Sequence, residues 1–428
     1  LWWNRGAAEK PKESTGPVST AAVSATGLIA KARALLHTPS RARFELEEAD
    51  RLCKQAGMLD ERSAELWAVW SMVDSWSVYY NFDNSIQRRE AARTKAEKAV
   101  GVGPTGFEAR LAQVAYLALA NQRSDAVSAF AGKADQTLRE LLKERPRDPE
   151  ALLVFALLHR NLGVKDAARQ AFRDLAAIPG FAGMAFTELG WAEFQFGENI
   201  AANAAADRAM AAERYWNSLI LKTEMALFWL GDLALAKATF EQMPTSALQE
   251  DSGIYYALFL AQVGRDSAAT LALVASVPRE WLQSNFFEGP IGYFAGSAHA
   301  ANGGTDAARQ SWERALRQVE TRLNETPQSP ELLIWKVRLQ ALLGDQPTAA
   351  KTFQLFKQIT NRRSLRGERG YERAADYWMM GERDAAIAFL EEGLRRFEIT
   401  WATLQIAPQL EPLRGDPRFQ ERLKGSGR

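Results

Sequence analysis

The chain has 428 residues, 53 lysines and arginines against 52 aspartates and glutamates, and a single cysteine. Balanced charge excludes the strong basic field that draws nucleic acid or an acidic membrane surface, and one cysteine excludes an intrachain disulfide framework. No apolar run approaches the ~20 residues that a membrane-spanning helix requires.

The chain starts Leu1-Trp2-Trp3-Asn4-Arg5. Adjacent tryptophans before a basic residue have the character of the interfacial end of a transmembrane helix, so a membrane anchor is expected immediately upstream of Leu1. Residues 1–24 then read as a flexible juxtamembrane linker, rich in Pro, Gly, Ser, Thr, Lys and Glu. Helical patterning begins near Thr26 and fills 25–148 with degenerate helix pairs. In the first, Ala49 and Ala56 hold the small positions of a second helix, and Cys53 reads as a small buried hydrophobe. In the next, Ala92, Ala96 and Ala99 do the same after a long middle from Ser75 to Arg89.

Residues 149–280 are regular. Gly163, Gly197, Gly231 and Gly264 fall 34, 34 and 33 residues apart, each followed at the fifth position by Ala168, Ala202, Ala236 or Ala269. Glycine suits a tight turn that requires positive φ, and an alanine early in the next helix lets two helices cross closely. The beat continues more loosely through 281–399, where Gly303, Gly344 and Gly381 precede Ala308, Ala349 and Ala386. About ten helix pairs result. Residues 400–428 form a capping helix and tail. Asp416 is an N-cap and Pro417 a first helical residue, while Leu410, Leu413, Phe419 and Leu423 cover the last apolar face, as a terminal repeat requires.

With these residues in place, the chain resembles the tetratricopeptide repeat, whose pattern carries an aromatic at position 4, Leu-Gly at 7 and 8, Tyr at 11, Gly at 15, Ala at 20, an aromatic at 24, Ala at 27 and Pro at 32. Residues 183–216 supply Phe186, Leu189-Gly190, Gly197, Ala202 and Ala209. Residues 149–182 supply Gly163, Ala168 and Phe172; the following unit supplies Gly231, Ala236 and Phe240; residues 289–322 supply Gly303, Ala308, Trp312 and Ala315. The units are degenerate: position 11 holds His159, Glu193, Leu227 and Leu260 in place of Tyr, and the closing proline slips, as at Pro179 and Pro278. The resemblance implies an all-α, right-handed superhelical α-solenoid that binds proteins and carries no catalytic site. The string from Leu410 to Phe419 also resembles the end of a bacterial group in which a signalling domain precedes a membrane segment and a tetratricopeptide array. This implies a sensory or scaffolding segment attached to the bacterial inner membrane.

In that family the first helices line a concave groove through positions 2, 5, 9, 12 and 13. The resemblance places there Met72 and Trp76; Trp191, Phe194 and Gln195; Leu221, Met225, Phe228 and Trp229; Tyr293; Ile334 and Arg338; and Tyr371, Trp378 and Met379. Such an aromatic groove with few cations suits an apolar peptide or amphipathic helix and disfavours a terminal carboxylate. The alternative is that these residues pack internally, where the superhelix tightens or its tail folds back.

Motifs of chemistry are explained by structure alone. The Gly101–Gly106 match to G-x-G-x-x-G follows an alanine-rich helix and holds Pro104, so it reads as a loop between repeats. His37, His159 and His299 are isolated and read as packing residues. Glu47-Glu48 and Glu391-Glu392 read as solvated helix faces, and Arg362-Arg363-Ser364-Leu365-Arg366 as a solvated junction. No cofactor, metal or small-molecule substrate is expected. Two other readings stay open: a helical-repeat part of a transcription regulator whose DNA reader lies elsewhere, and an enzyme of the α/α-toroid glycoside hydrolase type, which requires two inward carboxylates.

Overall fold

The computed structural model describes residues 24–38, 41–120, 124–212, 216–360, 370–395 and 399–425. The linker and the Trp2-Trp3 start lie outside these residues, as do Arg362–Arg366 and the side chain of Leu423.

The described chain is an all-α solenoid of ten consecutive helix pairs. The first three pairs are α1 (Ala25–Leu36) with α2 (Arg43–Leu59), α3 (Ala64–Tyr79) with α4 (Ile86–Val102), and α5 (Phe107–Ala115) with α6 (Ser124–Glu144). The next three are α7 (Pro149–Asn161) with α8 (Lys165–Ala176), α9 (Ala182–Gln195) with α10 (Asn199–Ala212), and α11 (Trp216–Glu224) with α12 (Leu233–Phe240). A short α13 (Thr245–Leu248) leads into α14 (Asp251–Val263) with α15 (Ser267–Ser276). A two-stranded hairpin interrupts the array: β1 (Trp281–Gln283) pairs antiparallel with β2 (Glu288–Pro290), Leu282 opposite Gly289. The array resumes with α16 (Gly292–Ala301) and α17 (Thr305–Glu325), α18 (Pro330–Leu342) and α19 (Gln346–Thr360), and α20 (Gly370–Met379) and α21 (Arg383–Arg395). A tail follows, of α22 (Trp401–Ile406), a 3-10 turn (Pro408–Leu413) and α23 (Pro417–Gly425).

Local chemistry starts these helices. Ser63, Asp148, Asp232, Asp266 and Ser329 each accept a hydrogen bond from the backbone N–H three residues on. Pro149 and Pro330 follow two of these caps as first helical residues. First helices are inner and buried almost all round, as α7 is from Glu150 to His159. Second helices bury one stripe, as α8 does with Ala168, Ala171, Phe172 and Leu175.

Six of the seven beat glycines hold positive φ, between 69° and 86°. At Gly264 the beat slips by one residue. Gly264 has φ −75°, and Arg265 takes the left-handed conformation with φ 54°. The fifth residue from Arg265 is the buried Thr270, while Ala269 is exposed. The slip makes two opposite predictions. Gly344→Ala, at φ 86° with nothing near its Cβ, is expected to destabilise by about 1–2 kcal/mol from the backbone alone. Arg265→Gly is expected to stabilise by about 0.5–1 kcal/mol, after the added freedom of the unfolded chain is counted. Urea midpoints check both signs.

Packing divides the array. One apolar core runs from Leu28 to Ala205, and a second from Leu219 to Phe419. Trp191 and Met210, from the first half of the chain, pack on the second core. Two elements fill the inner side. The hairpin reaches back to the first two helix pairs: buried Asn81 donates through Nδ2 to Ser284 O (3.0 Å) and Glu288 Oε2 (3.1 Å), and Arg43 donates to Gln283 O (3.1 Å). The tail folds onto the inner helices, with Thr400 donating to Phe228 O and Leu404, Leu410, Leu413 and Phe419 buried.

Candidate functional site

The structure separates the residues expected to line the groove. Met72, Trp76, Met225, Phe228 and Tyr371 are buried in the core rather than displayed. Trp76 is fully enclosed; its indole N–H donates to Glu150 Oε1 (2.8 Å), and Arg41 lies over its ring at 4.1 Å. Phe228 packs between Phe259 (5.6 Å) and Tyr371 (6.1 Å), beneath the tail. The physical reason is closure. Arg41 and Glu150 cover Trp76, the tail and Tyr371 cover Phe228, and Met225 packs with Ala202, Ala206 and Leu221, so positions that would line an open groove become interior. A further cause is local: Met225–Trp229 is a π-helical turn, with Leu230 N donating to Met225 O (3.0 Å). A turn of that kind rotates later side chains off the 3.6-residue register.

Tyr293 and Arg338 border a small recess of about 60 Å³ with Phe287 and Trp335. Arg338 is committed there, donating twice to Asp376 (2.6 and 2.8 Å). Trp229 and Trp378 are half-buried, with Arg383 over the Trp378 ring at 5.1 Å.

Trp191 and Phe194 stand together on a larger cavity of about 270 Å³. Several separate stretches build it, and Arg41, Arg160 and Ser252 complete the described wall. The end of α3 and its following turn supply Tyr79, Tyr80 and Phe82; α9 and the start of α11 supply Glu188, Gln195, Trp216 and Asn217; the hairpin tip supplies Asn285 and Phe286. Phe286 lies 5.5 Å from Trp191 and 5.3 Å from Tyr256, ring to ring. The hairpin turn is held by Ser284, whose N–H donates to Phe287 O (2.9 Å). Tyr79, Tyr80, Phe82 and Phe286 were the missed aromatic residues. The signal for Phe286 is the 39-residue gap from Gly264 to Gly303, five residues over the regular beat, and the signal for Tyr79, Tyr80 and Phe82 is the long middle from Ser75 to Arg89.

The described charges at this cavity come in opposite pairs. Arg160 donates to Glu188 (3.0 Å) and to the Tyr79 hydroxyl. Arg41 donates to Glu150 (3.2 Å) behind the wall. Burial raises the Tyr80 hydroxyl above the ordinary phenol range, so it stays protonated. His37 sits 3.8 Å from Glu150. Burial holds its pKa below the usual value, Arg41 and Arg33 act in the same direction, and Glu150 and Asp148 oppose. The folded chain therefore takes this proton less readily than the unfolded chain. The stability that neutral His37 contributes is present above about pH 6.5 and is lost as the pH falls below it. The melting temperature of the parent chain should fall further between pH 7 and pH 5.5 than that of His37→Gln; equal falls would remove the assignment.

The other motifs have structural roles. His159 is buried, its Nδ1 2.9 Å from Phe155 O and its Nε2 3.1 Å from Asp135. Burial pushes the Cys53 thiol up to about 12. Gly103–Gly106 forms the turn between α4 and α5. Among the described residues, no helix is long and apolar enough to cross a membrane, and no group of three metal-ligand side chains is found.

No known family profile matches the chain, and no curated protein matches it. Solved structures do. An APC/C hetero-tetramer of Cut9 and Hcn1 aligns at 14% identity and TM-score 0.40, over 79% of this chain and 59% of that one. A tetratricopeptide repeat protein from Parabacteroides merdae aligns at 10% identity and TM-score 0.34, over 74% and 99%. Yeast Tom70 aligns at 11% identity and TM-score 0.32, over 94% and 99%. The chain thus spans less than two thirds of the first of these structures.

Proposed function

We propose that this chain is a non-catalytic protein-interaction scaffold that takes an extended apolar segment of a partner protein on the inner side of its array. The observation that carries this reading is the pair of half-buried aromatic side chains Trp191 and Phe194 on the cavity wall, with Trp229 and Trp378 also half-buried. A docked helix is about 10–12 Å across with its side chains, and the 270 Å³ cavity is too small for one. An extended segment that inserts single side chains suits it. Balanced charge supports a protein partner over nucleic acid. Among the described residues Glu188 is the acid lining the cavity, and it is bound to Arg160, which favours a scaffold over a hydrolase needing two free carboxylates.

The test is a photo-crosslinking residue placed at Gln195, exposed beside the cavity, and in parallel at Ile200, exposed on an outer helix. A partner segment captured from Gln195 and not from Ile200, and lost with Trp191→Ala, supports the reading. Equal capture at both positions, or capture indifferent to Trp191→Ala, removes it. We further propose that the array belongs to a bacterial inner-membrane signalling protein, on the strength of the 410–419 string. The full coding sequence tests this: an upstream membrane segment behind a signalling domain supports it, and an upstream DNA-binding domain with no membrane segment favours the transcription-regulator reading.

A further inference from the structure

We propose that the 270 Å³ cavity is a receptor site for one neutral, planar ring of indole or phenol size, and that its occupant joins the hairpin to the N-terminal repeats. The proposal goes beyond the scaffold reading and does not rest on it.

Three observations carry the proposal. The first is size: the cavity falls just under the roughly 300–1,000 Å³ that holds drug-sized ligands, so it suits a single ring system. The second is its walls. Tyr79, Tyr80, Phe82, Trp191, Trp216 and Phe286 are aromatic, and flat rings stack or meet edge to face with such walls. The amides of Gln195 and Asn285 lie among them and offer hydrogen bonds to a polar edge. The third is charge. Aromatic cages often select cations, but here Arg160 and Arg41 already stand at the site, each with its own carboxylate, Glu188 and Glu150. A cationic ligand would meet two guanidinium groups, and an anionic one would have to displace a paired carboxylate. A neutral ring meets neither cost.

The geometry adds a linkage. Tyr79–Phe82 belongs to the second helix pair, and Phe286 to a hairpin about 200 residues later. A ring held between Phe286 and the rest of the wall binds only while the hairpin is seated, so binding and seating favour each other.

The experiment uses the full chain and four probes, indole, N-acetyltryptophanamide, tetramethylammonium and benzoate, followed by titration calorimetry. Indole and N-acetyltryptophanamide are expected to bind at least tenfold more tightly than the two ions. Phe286→Ala and Trp191→Ala should each weaken indole about three- to tenfold, with Trp191→Phe recovering most of the loss. Circular dichroism checks that each variant keeps its helices. Hydrogen exchange on the unaltered chain should slow at both 79–82 and 281–290 when indole is added. Failure of every probe at millimolar concentration, or equal binding of tetramethylammonium, overturns the site. Binding without slowed exchange at 281–290 overturns the linkage. An uncharged extended peptide with one central tryptophan separates the sources of the ring: binding tighter than free indole points to a partner's side chain, and equal binding to a free small molecule. Loss of indole binding with Gln195 crosslinking intact would sink this proposal and leave the scaffold reading standing.

Discussion

Arg41→Ala is expected to destabilise the N-terminal half of the array by about 3–5 kcal/mol, the range seen when one partner of a buried ion pair is removed. Arg41 is 1% exposed and lies just before α2. Its Nε donates to Leu36 O (2.5 Å), ending α1, and its guanidinium reaches Glu150 at 3.2 Å, on α7. The same group covers Trp76, which also donates to Glu150. One side chain therefore ties the first, second and fourth helix pairs together. Without it the Glu150 carboxylate stays buried beside an indole N–H and a half-buried His37, short of the countercharge that makes burial tolerable. Glu150→Gln removes that stranded charge, so the double variant should lose clearly less than the sum of the two single losses. Urea unfolding followed by tryptophan fluorescence measures this, and hydrogen exchange on α1, α3 and α7 localises it. A loss under about 1 kcal/mol for Arg41→Ala, or strict additivity in the double variant, would contradict the assignment.

Trp335→Ala is the second large effect, expected at about 3–5 kcal/mol, as for other buried tryptophans cut to alanine. Trp335 on α18 is 4% exposed and sits beneath the hairpin, 5.5 Å from Phe287 and 5.2 Å from Tyr293, ring to ring. Its indole N–H donates to Glu288 O (2.5 Å). Gly289 is glycine because a Cβ there would lie 2.4 Å from the Trp335 ring. Removing the ring opens a void under β2 and frees the strand. The loss should therefore include faster exchange across 281–290 and at Asn81, where the hairpin lands. Trp335→Phe keeps most of the packing and loses the hydrogen bond, for a cost nearer 1 kcal/mol. If Trp335→Ala lowers stability while exchange at 281–290 stays unchanged, the ring supports α18 and α20 and not the hairpin.

Much of the fold was legible because its signals are local. Positive φ is a property of one residue, so Gly163, Gly197, Gly231, Gly303, Gly344 and Gly381 announce their turns, and the alanine five residues on is buried at all six. The exception is equally local: Arg265 took the left-handed position, and the buried residue moved to Thr270. The site was only half legible. The resemblance to the tetratricopeptide repeat placed Trp191 and Phe194 on an inner helix, and both reach the cavity. Whether an inner face meets solvent or another turn depends on how tightly the array coils and on what is inserted across it. Trp76 and Phe228 are therefore indistinguishable from Trp191 in the sequence and separate only in three dimensions. The hairpin left its trace in spacing alone, because its partners Arg43 and Asn81 lie 240 and 203 residues from the strands they hold.

That separation has a consequence for how the molecule bears load. A plain solenoid behaves as a spring whose turns touch only their neighbours, so it extends smoothly under tension and refolds from any point. A hairpin sewn to the first turns short-circuits the spring: force applied at its two ends passes through Asn81 and Arg43 before the turns between them feel it. Closing that loop also carries the entropy of a ~200-residue segment, which grows only as the logarithm of its length. The stitch would thus form after the turns around it and, in a pulling experiment, break as a single discrete event ahead of their extension.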